Sequence, residues 1–280
     1  MGEYVRPTEL GDLFAVMEQR DWKVLAGGTD YYPGKVGRAL SDDILDITNI
    51  DTLKEIRETE DDWHIGATVK WSNIIAANLP QMFDGLKAAA KEIGGRQIQN
   101  AGTLGGNVCN ASPAADGMPA LISLGAIVEI SDGVRSHKIP IENFVVGNRA
   151  IQLNSNQILT KFIIPKVKSP YSSGKFLKLG SRQYLVISLA MVSGVLGWND
   201  DGIITHCKLS VGACSEVAKR LQRLETLLIG QPKNSKLSLL LSAELFSDLQ
   251  PIDDVRATSE YRQIAARNLV GQLLDSWGDR

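Results

Sequence analysis

Two glycine-rich windows contain the residues whose types and spacing are suited to chemistry. The nine glycines of these windows are Gly27, Gly28, Gly34, Gly37, Gly94, Gly95, Gly102, Gly105 and Gly106. Glycine adopts positive φ and has no Cβ, so successive backbone N–H groups can turn toward one anion. The stretches 26–30 and 101–107 contain polar side chains but no lysine or arginine. Such loops suit a phosphodiester or pyrophosphate bound by N–H donors, although each could equally be a simple tight turn.

The glycine spacing excludes the common nucleotide motifs. No two of the 26 glycines are separated by a single residue, so the G-x-G-x-x-G pattern of Rossmann dinucleotide sites is absent. The chain also lacks G-x-x-x-x-G-K-[ST], which excludes a Walker-type nucleotide hydrolase, and G-x-S-x-G, which would mark a nucleophile elbow. The two windows therefore predict a nucleotide loop of another kind.

The histidines and cysteines form no recognisable metal or redox site. They are His64, His137, His206, Cys109, Cys207 and Cys214. The histidines share no ligand spacing and the cysteines contain no C-x-x-C pair, which argues against zinc, an iron–sulfur cluster or a disulfide framework on this chain. Cys109 is expected to be a buried structural thiol. We identify no catalytic acid, base or nucleophile and no metal ligand.

Composition and charge are those of an ordinary soluble protein. The 280 residues are 44% hydrophobic and 22% charged, and the net charge of −2 offers no general attraction for nucleic acid or an anionic membrane. The apolar uncharged run at residues 183–199 is too short for a bilayer span, and the amino terminus lacks a secretory signal. We therefore expect a cytoplasmic protein that has no integral membrane span and binds no nucleic acid.

The elements that must position these residues are mixed strands and helices, which indicates an α+β (mixed α/β) fold. Strands are predicted at residues 23–26, 43–47, 64–67, 126–130, 157–164, 183–198 and 203–212. Helices are predicted at residues 71–78, 86–93, 119–124, 216–228, 235–245 and 259–276. The polar segment 166–174 is the best candidate for a linker.

Three motifs together resemble one known family. They are Ala26-Gly-Gly-Thr-Asp30, Gln97-Ile-Gln-Asn-Ala-Gly-Thr-Leu-Gly-Gly-Asn107 and Asn110-Ala-Ser-Pro-Ala-Ala-Asp116. They are similar to the FAD-binding medium subunits of molybdenum hydroxylases, which include the flavoprotein subunits of carbon monoxide, xanthine, nicotinate and quinoline dehydrogenases. The resemblance implies a two-subdomain FAD-binding fold of the vanillyl-alcohol-oxidase/PCMH type and a C-terminal α+β domain. The implied divisions are residues 1–55, 56–168 and 169–280.

The same resemblance implies which residues contact FAD. They are Leu25, Ala26, Gly27, Gly28, Thr29, Asp30, Tyr31, Tyr32, Ile93, Thr103, Leu104, Gly105, Gly106, Asn107, Ser112, Asp116, Leu159 and Lys178. Residues 25–32 would form the first pyrophosphate loop and residues 103–107 the second. Ile93 and Leu159 would be apolar contacts.

The remaining implied contacts lie toward the ribityl chain and the flavin ring. Ser112 and Asp116 would contact the ribityl or phosphate region, and Asp116 would help to orient the second loop. Lys178 would lie near the isoalloxazine carbonyls, although a surface lysine beside a strand is the commoner interpretation. Tyr31 and Tyr32 stand where the family often has an aliphatic pair, and we expect them to fill a core.

The resemblance also implies electron transfer. FAD on this chain would receive electrons from two [2Fe–2S] clusters of a small subunit, after substrate oxidation at a molybdenum cofactor in a large subunit. NAD, a quinone, oxygen or a carrier protein would accept the electrons, and the complex would be a dimer of heterotrimers. Two alternatives stay open: a self-sufficient FAD-dependent oxidoreductase of the wider vanillyl-alcohol-oxidase family, and a non-catalytic assembly subunit without flavin.

Overall fold

The computed structural model describes residues 2–37 and 40–278. Within these ranges the chain forms a three-stranded, a five-stranded and a four-stranded sheet, each with its own helices, and one small two-stranded hairpin. The α+β class is therefore confirmed. None of the helices in these ranges is both long and apolar enough to cross a membrane.

A small parallel sheet forms the first unit. Its elements are β1 (Tyr4–Val5), α1 (Leu10–Met17), β2 (Lys23–Leu25) and β3 (Ile44–Asp46). The strand order is β1-β3-β2, and Leu45 lies between Val5 and Val24. Leu45 is buried in a core that Ile158, from a much later strand, helps to form. Because β2 ends at Leu25, the first glycine loop begins at the carboxyl edge of a parallel sheet, where ligands commonly bind.

An antiparallel sheet covered by short helices forms the second unit. Its elements are β4 (Ile56–Glu58), β5 (Asp62–Gly66), α2 (Trp71–Ala76), α3 (Asp84–Glu92), α4 (Arg96–Ala101), α5 (Leu104–Asn110), α6 (Gly117–Ser123), β6 (Ile127–Ser131), β7 (Ser136–Pro140), α7 (Ile141–Phe144), β8 (Val145–Gly147), β9 (Ala150–Ile151) and β10 (Ile158–Pro165). The sheet order is β4-β5-β10-β6-β7, with Phe162 of the central strand paired to Ile65 and Val128. Strand β10 is central in the sheet, and most of its residues are buried, which explains its apolar run.

A four-stranded antiparallel sheet and the C-terminal helix form the third unit. Its elements are β11 (Tyr171–Leu179), β12 (Ala190–Trp198), β13 (Ile204–Gly212), β14 (Lys219–Arg220), α8 (Gln222–Leu228) and α9 (Ser259–Asp275). Strand β12 is buried on both faces: Met191 and Val195 pack into the core of the second unit, whereas Val192 and Leu196 pack with residues of α9. The sheet is therefore the layer that joins the second unit to the C-terminal helix.

Most predicted elements are confirmed, and four predictions are wrong in part. The proposed linker 166–174 contains the start of β11, and the proposed helix 216–228 begins only at Gln222 because Lys219 and Arg220 pair with β13. The proposed helix 235–245 consists of two separate 3-10 turns, and the proposed strand 183–198 begins at Ala190. The predicted borders at 55/56 and 168/169 fall between sheets. Ile158, which the prediction assigns to the second subdomain, packs in the core of the first unit, so the division into subdomains stays a prediction.

Candidate cofactor-binding site

The first glycine loop presents a run of free backbone donors. Among the described residues, the N–H groups of residues 27–31 donate to no acceptor within the chain. Gly28 has a φ of +67°, which only glycine adopts without strain and which turns the chain back sharply after β2. Successive unpaired N–H groups in such a turn form a concave anion-binding surface. The loop therefore has the donor set that a pyrophosphate requires.

The first loop packs directly against the second glycine window. A Cβ added to Gly27 would lie 2.1 Å from the carbonyl oxygen of Ala101, so no other residue fits there without moving the backbone. A Cβ on Gly106 would lie 3.8 Å from the Ala26 Cβ, and one on Gly102 would lie 3.4 Å from the Thr29 hydroxyl. The two windows, about 70 residues apart in the chain, thus form one continuous surface.

The second window is the start of a helix rather than an open loop, which corrects the sequence interpretation. Thr103 caps α5, and its hydroxyl accepts a hydrogen bond from the Gly106 N–H (3.0 Å). The N–H groups of Leu104 and Gly105 donate to the carbonyls of Val69 (2.9 Å) and Ala67 (2.8 Å). These donors are therefore unavailable to a ligand. Residues 103–107 contribute a close-packed surface, while the free donors come from the first loop.

Asn107 carries one of the four buried side-chain polar atoms that lack a hydrogen-bond partner among the described residues. Its side-chain oxygen is buried and accepts no hydrogen bond from any described residue. A Cβ added to Gly117 would lie 2.7 Å from this oxygen, which places Asn107 beside the start of α6 and hence beside Asp116. Buried polar atoms are nearly always hydrogen-bonded, so an orphan here indicates a place for a ligand donor or water.

A buried ion pair joins the second and third units next to this point. Lys178 of β11 donates to the Asp116 carboxylate over 2.7 Å, and the Ser188 hydroxyl donates to its other oxygen over 2.5 Å. The two charged side chains are only 7% and 9% exposed. Burial raises the pKa of Asp116, while the charge and hydrogen bond of Lys178 act in the opposite direction. The interpretation of Lys178 as a surface lysine is therefore wrong.

The hydrogen bonds of Asp116 revise its expected role. Its side chain accepts from Lys178 and Ser188, and among the described residues none of its side-chain hydrogen bonds involves residues 103–107. Asp116 thus orients the lysine rather than the second loop. Only the proximity of Asn107 connects it to that loop.

A cleft of about 450 Å³ opens beside the ion pair. Its lining residues include Lys178, Glu92 at the end of α3, Arg182 and Val186. Ile93 follows Glu92 and is partly buried against the second core, so it stands at the margin of this cleft. The cleft combines apolar walls with a few charged groups, which is the usual character of a small-molecule site.

The other predicted contacts are less directly connected. Ser112 accepts a hydrogen bond from the Ala114 N–H (3.3 Å) in the turn after α5. Leu159 is buried within the second core. Tyr32 is 45% exposed, so its assignment to a core is wrong, whereas Tyr31 is partly buried and donates to Asp42 (2.6 Å). The predicted contacts of these residues with FAD stay predictions.

Three residues of the site were missed in the sequence. Ser188 and Glu92 are ordinary polar residues about 70 and 25 positions from Asp116, and nothing local marks them. Arg149 in the turn between β8 and β9 donates to Asp30 (2.9 Å). The glycine loops contain no cation of their own, and this arginine comes from a distant hairpin, so no local pattern indicates it.

The fold and the site define a FAD-binding subunit of an oxidoreductase complex. Residues 1–167 match the family described as the FAD binding domain in molybdopterin dehydrogenase, and residues 175–276 match the CO dehydrogenase flavoprotein C-terminal domain. The chain therefore belongs to the family with the FAD binding domain of molybdopterin dehydrogenases. The family resemblance of the sequence motifs and the presence of a FAD-binding domain on this chain are thereby confirmed.

Individual relatives agree with this membership along nearly the whole chain. The chain is 30% identical to the nicotinate dehydrogenase FAD-subunit of Eubacterium barkeri, over 75% of this chain and 72% of the relative. It is 27% identical to the glyceraldehyde dehydrogenase medium chain of Sulfolobus acidocaldarius, over 95% of each chain. The fold is similar to a chain of carbon monoxide dehydrogenase from Hydrogenophaga pseudoflava, with a TM-score of 0.88, 24% identity and coverage of 99% and 97%.

Proposed function

We propose that this chain is the FAD-carrying electron-transfer subunit of a molybdenum hydroxylase complex. It transfers electrons from two [2Fe–2S] clusters of a small subunit, which receive them from a molybdenum cofactor in a large subunit. The acceptor is NAD, a quinone, oxygen or a carrier protein. The complex is a dimer of heterotrimers in the cytoplasm. The chain has only three cysteines, so its iron–sulfur partners must be other polypeptides.

The run of free N–H groups at residues 27–31 is the observation that supports this proposal best. A pyrophosphate needs several donors that converge, and the close contact of Gly27 with Ala101 holds the loop at the junction of the first two units. The orphan oxygen of Asn107 supplies an acceptor between this junction and the Asp116–Lys178 pair. These groups support the proposal because an extended dinucleotide needs several separated polar partners.

The bound flavin supplies a ring that accepts electrons and gains negative charge as it does so. The chain's own contribution is position and electrostatics. Asp116 accepts a hydrogen bond from the Lys178 ammonium and one from the Ser188 hydroxyl, so this lysine, which lines the cleft, is held in one buried position where its N–H groups can be directed at a ligand. No acid, base or nucleophile of the chain is required.

The visible spectrum of the purified protein tests the proposal. The chain is purified alone and together with the products of neighbouring genes, and flavin absorption is recorded before and after substrate is added. The proposal predicts bound FAD that substrate reduces only when iron–sulfur and molybdenum subunits are present.

The two alternatives give different spectra. Substrate turnover by the lone flavin-containing chain would favour a self-sufficient oxidoreductase. A complex that shows iron–sulfur absorption but releases no flavin when it is denatured would favour an assembly subunit without flavin. Either result would overturn the proposed electron-transfer role.

A further inference from the structure

The turn between β8 and β9 contains a strained arginine. Gly147 pairs with Ala150, so Asn148 and Arg149 form a two-residue turn. Arg149 has a φ of +58°, although glycine or asparagine is usual where a turn requires positive φ. A non-glycine residue pays a conformational cost for this geometry, and such strain concentrates where a side chain has a function.

The Arg149 side chain connects two separated units. Its guanidinium nitrogen Nη1 donates to the Asp30 carboxylate (2.9 Å) and to the Asn110 carbonyl (3.0 Å), and it also contacts the Asn110 side-chain oxygen. Asp30 belongs to the first glycine loop, and Asn110 is the last residue of α5, the helix that begins at the second glycine window. One guanidinium therefore links both halves of the candidate pyrophosphate site.

The backbone of the same turn is held from two further directions. The Arg149 N–H donates to the Ala111 carbonyl (2.9 Å), and the Asn148 N–H donates to the Glu216 carboxylate (3.2 Å) of the third unit. The turn is thus anchored by α5 and the C-terminal domain before the arginine side chain reaches the first loop. An anchored donor of this kind loses little freedom when it pairs.

Asp30 would otherwise be an obstacle to an anionic ligand. Asp30 follows directly after Thr29 in the loop with the unpaired N–H groups, and a negative charge there repels a phosphate. Pairing with Arg149 cancels that charge and fixes the residue in the middle of the donor run. The alternative partner of the arginine would be the ligand itself.

We propose that Arg149 is a positioning residue of the cofactor site, which fastens the first loop to α5 through Asp30 so that the free N–H groups converge on one pyrophosphate. This inference rests on the proposed function. Both partners are more than half exposed, with Arg149 at 55% and Asp30 at 59%, so the pair contributes little to the stability of the empty protein. Its effect is expected mainly in FAD affinity.

A set of four variants separates the guanidinium from the turn that carries it. FAD dissociation constants are measured by flavin fluorescence for the wild type and for Arg149→Ala, Arg149→Gly, Arg149→Lys and Asp30→Ala, and melting temperatures are measured without flavin. Arg149→Gly relieves the positive φ and deletes the side chain, so it should melt no lower than Arg149→Ala. Lys166→Ala is the control, because it breaks another ion pair of the protein surface, with Glu58 (2.7 Å), away from the glycine loops.

The inference predicts about tenfold weaker FAD binding for both Arg149→Ala and Arg149→Gly, partial recovery in Arg149→Lys and no change in the control. Asp30→Ala should cause a similar loss, and the double variant with Arg149→Ala should be no weaker than the worse single variant. Normal binding by Arg149→Gly would overturn the inference, since the turn and not the guanidinium would matter. Weak binding by Arg149→Ala with normal binding by Asp30→Ala would overturn it in favour of direct contact with the ligand. Failure of the wild type to bind FAD would instead refute the proposed function.

Discussion

The buried pair of Asp116 and Lys178 allows a quantitative test of the site. The two side chains are 9% and 7% exposed and lie 2.7 Å apart across the boundary between α6 and β11. Asp116→Ala leaves an uncompensated ammonium in this place, and Lys178→Met leaves an uncompensated carboxylate. Breaking a buried pair in this way costs about 3–5 kcal/mol of unfolding free energy. Removing both charges should cost much less, because the remaining side chains are apolar.

The magnitude follows from the partners that each variant leaves behind. In Asp116→Ala the Ser188 hydroxyl also loses its acceptor, which adds about 1 kcal/mol. The double variant retains that loss and a small cavity, so we expect it to be roughly 1–2 kcal/mol less stable than the wild type. Two single losses of about 3 kcal/mol or more, set against a double-variant loss of about 2 kcal/mol, give a coupling energy of at least about 4 kcal/mol, which is above the roughly 0.5–3 kcal/mol usual for residues in contact.

Urea unfolding of the flavin-free chain measures this coupling through tryptophan fluorescence. The control is the exposed pair of Asp51 and Lys54, also 2.7 Å apart, whose coupling should stay below about 1 kcal/mol. Additive losses for Asp116→Ala and Lys178→Met would refute the reasoning, because they would show that neither charge depends on the other. The same variants should also lose FAD affinity, since the ammonium of Lys178, a residue that lines the cleft, would be displaced or absent.

Three further predictions concern single residues. Gly27→Ala should abolish FAD binding because its Cβ would meet the Ala101 carbonyl at 2.1 Å, whereas Gly34→Ala has open space and should bind FAD normally; equilibrium dialysis with FAD distinguishes the two. Burial lowers the pKa of His206 to about 4, so the unfolded chain binds a proton first and stability falls as the pH drops from 6.5 toward 4. Between pH 7 and 4.5 the unfolding free energy of His206→Gln should fall by roughly 1–2 kcal/mol less than that of the wild type, after allowance for partial exposure, and urea titrations at the two pH values measure the difference. Cys109 is only partly buried, but burial raises the pKa of its thiol to about 12, so a disulfide reagent at pH 7.5 should label it more slowly in the native than in the unfolded protein; equal labelling rates would contradict this pKa shift.

Local patterns predicted the elements whose burial follows from their own residues. Strands β2, β3, β12 and β13 are apolar runs between turn residues, and the hairpin between β12 and β13 turns at Gly202, which has a φ of +75°. The first loop was also recognisable, because glycines after a strand indicate a special backbone.

Elements determined by distant contacts could not be predicted in this way. Strand β11 begins with polar residues, and a Cβ on its Gly174 would lie 2.2 Å from the Met82 carbonyl, so its place depends on packing against another unit. The glycines of α5 disfavour a helix, which forms because Thr103 caps it and Val69 accepts from its first N–H. Asp116 and Ser188 are 72 residues apart in the chain, and their pairing likewise depends on how two units meet.

The flavin content of the purified protein tests the central claim most directly. The chain, isolated with its co-expressed partners, is denatured in acid, and the released flavin is identified and quantified by chromatography. The account predicts close to one FAD molecule per chain in the wild type. The Gly27→Ala variant, purified in the same way, should contain almost no FAD, and the Gly34→Ala variant should contain as much FAD as the wild type. Absence of FAD from the wild-type complex, or equal FAD content in the Gly27→Ala variant, would contradict a cofactor held by the loop at residues 27–31.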